Sequence, residues 1–123
     1  MKKFITILLC TIGMASCIPS GGGNPGGGTR IKGKLIRVTC ASKVIQILDE
    51  RYYSLGETWN DGGTPATIYE HVARLRNPCE FPGNISAGSV FYFKLNPNQG
   101  TDCVVCAMWD NPPTKEIAIT VVP

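Results

Sequence analysis

The fold class this sequence predicts is all-β: a small five- to six-stranded OB-like barrel, with an immunoglobulin-like β-sandwich as the alternative. Three observations carry that expectation. Apolar residues recur at every second position in several short runs. Clusters of Gly, Asn, Pro and Asp separate those runs, and the 94 residues from Arg30 to Pro123 are enough for five or six such short strands in one domain.

The first run, "IKGKLIRVTC", sets Ile36, Val38 and Cys40 against Leu35, Arg37 and Thr39, and "KVIQILDE" follows after a few residues that can turn. "EHVARLRN" reads as a strand because Asn77 and Pro78 end it too soon for a helix. "VFYFKLN" alternates Phe91, Phe93 and Leu95 with Val90, Tyr92 and Lys94, and "KEIAITVV" alternates Ile117, Ile119 and Val121 with Ala118, Thr120 and Val122. "CVVCAMWD", with two β-branched valines, is the sixth candidate strand. "GNISAGS", "NPNQGTD" and "DNPPT" are the turns between them. The longest irregular stretch, "ERYYSLGETWNDGGTPAT", has room for one helical turn before "IYEHV". A long first strand with an internal glycine, Gly33, and the "AGSVFYF" entry suit a coiled, closed sheet, which favours the barrel. No internal repeat is visible.

Three segments organise the chain. Residues 1–16 carry Lys2 and Lys3, an apolar stretch from Phe4 to Met14, and the small pair Ala15 and Ser16. Those are the three parts of a secretory signal peptide. The apolar stretch is far shorter than the roughly 20 residues that span a bilayer. "MASC" resembles the lipobox of bacterial lipoproteins, with Met14 where leucine is usual. The resemblance implies that Cys17 is the lipid-attachment residue, acylated on sulfur, made the first residue of the mature chain, and then acylated on its amine. Each buried methylene contributes about 0.8 kcal/mol and one chain holds only marginally, so several acyl chains make a stable anchor.

Within residues 17–29, positions 20–28 read "SGGGNPGGG", a run without one aliphatic or aromatic side chain. Such a run cannot bury enough surface to offset its ordering entropy, and it reads as a flexible tether with an r.m.s. span of roughly 20 Å. It lacks the Gly-Lys-Ser/Thr of a phosphate loop. Lipobox, tether and small four-cysteine domain together look like the small lipoproteins common in Bacteroidota. That likeness implies the bacterial cell envelope and the outer membrane. The absence of acidic residues in "IPS" after Cys17 favours the periplasmic face.

Residues 30–123 have the length of one domain, with a modest core. The whole chain has 12 basic and nine acidic residues, and removing Lys2 and Lys3 leaves a charge near +1. No basic run or face points to nucleic acid. In an exported chain of this size the cysteines Cys40, Cys79, Cys103 and Cys106 are expected to form two disulfides. "CVVC" has no histidine after it for haem attachment, no helix for a thioredoxin-like dithiol, and no second Cys-x-x-Cys for zinc. Were residues 103 to 106 extended, their cysteine Cα atoms would be roughly 10 Å apart. That exceeds the ~7 Å a disulfide can span. Each would then pair with Cys40 or Cys79, and both crossed pairings stay open.

For function, His71 is the sole histidine and no nucleophile and base can be named around it, so no enzyme is expected. Asn84–Ser86 reads as a turn. Tyr52, Tyr53 and Trp59, on the irregular backbone between Glu50 and Thr67, are the candidate ligand-binding residues, with Tyr69 nearby. The expectation is a membrane-tethered binding or structural module without a cofactor, its partner an envelope glycan or protein. The alternative is a thiol-redox or metal-handling protein that uses Cys103 and Cys106.

Overall fold

Residues 28–100 and 103–123 are described by the computed structural model of this chain. The signal segment, Cys17 and most of the tether lie outside the described residues. Strands β1 (Ile31–Val38), β2 (Lys43–Ile47), β3 (Glu57–Asn60), β4 (Ile68–Leu75), β5 (Val90–Leu95), β6 (Glu116–Ile117) and β7 (Ile119–Val122) form one sheet. Its hydrogen-bonded order is β3-β4-β2-β1-β5-β7, with β6 off that path beside β4. The β4–β6 pair is parallel and the others are antiparallel. The chain is all-β.

Alternation sorts the side chains into an inner and an outer layer. Ile31 and Leu35 on β1, Ile45 and Ile47 on β2, and Phe91 and Phe93 on β5 are buried together on the inner face. Ile117 and Ile119 join them, with Val121 packed at the margin. Gly33 lies opposite Phe91 across the β1–β5 ladder, and a Cβ there would stand 2.9 Å from Cε1 of Phe93. A glycine at this point lets the largest fully buried ring lie flat on β1.

Val44 on β2 and Val72 on β4 lie on the opposite face from Ile45 and Ala73, and both are fully buried there in a second cluster with Trp59. β1 carries an extra residue between Leu35 and Arg37, which turns Ile36 and Arg37 toward that outer layer. β4 has a matching irregularity opposite β3, where His71 adopts φ +58°. Gly56 makes room for it, since a Cβ on Gly56 would collide with the His71 backbone.

Two expectations need correction. "CVVCAMWD", residues 103–110, is not a strand. Its backbone finds no ladder partner beyond Cys106 N–H donating to the Cys40 carbonyl at 3.2 Å, and its valines point into solvent instead of a sheet face. The stretch from Glu50 to Thr67 is more ordered than expected. Asp49 caps a 3-10 turn at Glu50–Leu55, and the residues after it form β3. The strand count rises to seven because β3 is added and the last run divides into β6 and β7 at the buried Ala118.

Candidate functional site

The long connection from β5 to β6 leaves the inner face near Leu95 and, from Cys103 onward, crosses the outer layer. Two disulfides clasp it. Cys79, in the short 3-10 turn after β4, is bonded to Cys103 with their Cα atoms 6.0 Å apart. Cys40, in the turn between β1 and β2, is bonded to Cys106 with a Cα separation of 5.6 Å. Neither cysteine of the Cys-x-x-Cys pair is bonded to the other.

Beyond the clasps the loop is held by Asp110. Its Oδ2 accepts hydrogen bonds from the hydroxyls of Thr39 at 2.5 Å and Ser42 at 2.6 Å, and Arg37 lies 3.4 Å away. Arg37 also donates to the Asp110 carbonyl at 2.7 Å. Partial burial pushes the carboxyl upward, but the two hydroxyls and the guanidinium outweigh it and hold Asp110 below the ordinary carboxylate range. The next residue, Asn111, accepts the indole N–H of Trp59 at 2.9 Å. Farther on, the Glu57 carboxylate accepts from the Thr114 backbone N–H and hydroxyl and from the Lys115 N–H. Burial again opposes ionisation, and these donors with the Lys115 charge keep Glu57 below its usual value. The outer cluster is therefore roofed by a loop fastened at five points.

Between Cys103 and Asp110 the loop turns apolar side chains outward. Val104 is 98% exposed and Trp109 80%, with Val105 and Met108 about half exposed. No charged residue occurs from Cys103 to Trp109. Such an arrangement has no stabilising role of its own, because side chains left in water contribute no burial.

The structure does not bring the aromatic candidates to one surface. Tyr52 and Tyr53 pack against the inner core from the 3-10 turn. Trp59 is 7% exposed, stacks on Tyr69 under the Arg37 guanidinium, and has its N–H engaged. Its burial leaves no open indole face for a ligand. His71 stacks on Tyr53 with ring centroids 3.6 Å apart. A broad groove of about 1030 Å³ opens beside Gly28, and Lys94 and Glu116 are the charged residues among its lining.

Asp110 and the apolar tip escaped the sequence reading. The signal was present in "VVCAMW", six apolar residues without alternation between two aspartates, which suits a displayed loop better than a half-buried strand. No described helix is long and apolar enough to cross a membrane. No protein family, curated protein or solved structure matches this chain.

Proposed function

We propose that this chain is a lipid-anchored module of the bacterial cell envelope, tethered through Cys17, which works by binding through the clasped loop and not by catalysis. The observation that carries this reading is the pair of disulfides Cys40–Cys106 and Cys79–Cys103. Disulfides suit an exported chain in an oxidising compartment. These two also hold outward a loop whose valines and tryptophan are unused by the fold. The thiol-redox alternative needs Cys103 and Cys106 bonded to each other or free, and each is bonded to a different distant partner.

The finer architecture is read as OB-like. Residues 116–117 pair with β4 in parallel while 119–122 pair with β5 in antiparallel, so one run reaches both ends of the path β4-β2-β1-β5. Backbone bonds support that bridging: Arg74 N–H donates to Lys115, Arg76 N–H to Ile117, and Asn96 N–H to Ala118. Asn77 adds a side-chain rung, donating to the Ile119 carbonyl and accepting its N–H. Simultaneous amide-exchange protection at Arg76 and Asn96 would support the bridged arrangement, and fast exchange at either would count against it.

The anchor is tested by metabolic labelling with a fatty acid. Label is expected in the wild-type chain and absent from Cys17→Ala. An unlabelled wild-type protein would remove the lipoprotein reading.

A further inference from the structure

We propose that the loop tip from Val104 to Trp109 docks into the same lipid leaflet that holds the anchor, laying the domain against the membrane surface. The inference rests on the lipoprotein reading above, and its test separates the two.

Four features favour lipid as the occupant. First, the tip offers a row of apolar side chains with no charge among them, and it ends in an exposed tryptophan. Tryptophan is the side chain whose apolar body and polar N–H suit the boundary between acyl chains and headgroups. A protein surface would need a matching groove and polar rim. A leaflet needs neither.

Second, a cation stands beside the tip. Among the described residues, Asp110 is paired with Arg37 and Glu116 with Arg74. Arg76 is exposed, makes no ion pair among the described residues, and lines the same small cleft as Cys103 and Val105. A guanidinium beside an apolar tip can reach lipid phosphate while the tip is immersed.

Third, the loop is already ordered. The two disulfides and Asp110 fix it at both ends, so docking does not require a flexible segment to be immobilised. Fourth, the chain ahead of Gly28 supplies the proximity. On the lipoprotein reading thirteen residues, Cys17 to Thr29, separate the acyl chains from the domain, and a Gly-rich chain of that length has an r.m.s. span of roughly 20 Å, so docking would be an intramolecular event. Four small insertions that would hold a free protein only weakly then suffice.

The test uses the full lipidated chain reconstituted into vesicles of phosphatidylethanolamine and phosphatidylglycerol carrying brominated acyl chains, which quench tryptophan only at close approach. Trp59 is buried under the loop, so Trp109 carries the quenchable emission, and Trp109→Ala verifies that assignment. Docking predicts strong quenching in the wild type. It also predicts loss of most of that quenching in Val104→Asp/Val105→Asp, with flotation on the vesicles unchanged. Flotation without quenching of Trp109 would overturn docking and leave the anchor intact. Failure to float would overturn the anchor and the docking that depends on it. Trp109 that becomes shielded as protein concentration rises without lipid would identify a second copy as the occupant and also overturn the proposal.

Discussion

On β2, Ile45 and Val44 are neighbours with no exposed surface, but they are buried by different means. Ile45 faces Leu35, Phe91 and Phe93, side chains delivered by adjoining strands whose registry the sheet itself sets. Val44 packs with Trp59 and Val72, and Trp59 is in turn hydrogen-bonded to a loop that arrives about 60 residues farther along the chain. A strand needs no fastening beyond its ladder. A loop without a ladder partner stays in place only where something pins it, and here disulfides and part-buried hydrogen bonds do so. The inner layer is assembled by area and the outer layer by points of attachment.

The largest test of that contrast is reduction. The bridges span separations of 66 and 24 residues, and the chain-entropy argument assigns roughly 3 to 4 kcal/mol to each. Domains of this size have a total stability of about 5 to 14 kcal/mol. Reducing both bridges is expected to abolish the cooperative thermal transition or lower it far. Cys40→Ser/Cys106→Ser should cost more than Cys79→Ser/Cys103→Ser, because the longer loop is released. A melting curve followed by circular dichroism that does not move on reduction would mean that the inner layer is self-sufficient.

The inner layer should answer to volume alone. Phe93→Ala removes a ring with no exposed surface that touches Phe91 and overlies Gly33, and a loss of about 3 to 5 kcal/mol is expected in urea denaturation. A cost under about 1 kcal/mol would show that the ring is not central to that layer.

The two layers were also unequally legible in the sequence. Strict alternation in "VFYFKLN" and "KEIAITVV" marks Phe91, Phe93, Ile117 and Ile119 as inward, and these four residues are buried together. The outer layer has no such code. Val44 and Val72 lie on faces that alternation assigns to solvent, and they are buried with Trp59, whose indole the loop holds through the Asn111 carbonyl. β3 was hidden for the same reason. "ETWN" is four residues long with one buried side chain, Trp59, too short for a period to appear. The valines of "CVVCAMWD" suggested a strand because β propensity reports a side chain's fit to a pleated face, and here no face is offered. Local pattern predicts what a sheet buries by itself; it is silent about what a distant segment is pinned across.

Removing the central pin should have a smaller effect than either test above. Asp110→Ala leaves the hydroxyls of Thr39 and Ser42 and the Arg37 guanidinium without their shared acceptor, at a cost of about 1 to 3 kcal/mol. The loss should be local. Amide exchange is expected to quicken from Ala107 to Asn111 and around Trp59 while β1 and β5 keep their protection. Uniform acceleration across the sheet would erase the distinction between the layers.

Acid acts on the same fasteners more gently. Asp110 and Glu57 titrate below their ordinary ranges in the folded protein, so the unfolded chain takes up their protons first as pH falls. Their contribution is fully present above the ordinary carboxylate range and is lost as pH drops toward the depressed folded values. The outer layer should therefore loosen in acid before the inner one. Accessibility of Trp59 to acrylamide is expected to rise ahead of any loss of far-ultraviolet circular dichroism. Coincident transitions would show that the two layers are one cooperative unit.

The smallest stability effect belongs to the most conspicuous side chain. Trp109 is 80% exposed and no hydrogen bond holds it, so Trp109→Ala should change folding stability by no more than about 0.5 kcal/mol in either direction. The variant should nevertheless alter the emission strongly. Wild-type protein carries one accessible and one buried tryptophan, and without Trp109 the remaining signal comes from Trp59, blue-shifted and shielded from acrylamide in water. A large loss of stability would mean that the tip packs on the fold and is not displayed. An unchanged stability with loss of the accessible emission would separate the tip from the pins beside it. Asp110, one residue away, would then serve the structure, and Trp109 would be free for a partner.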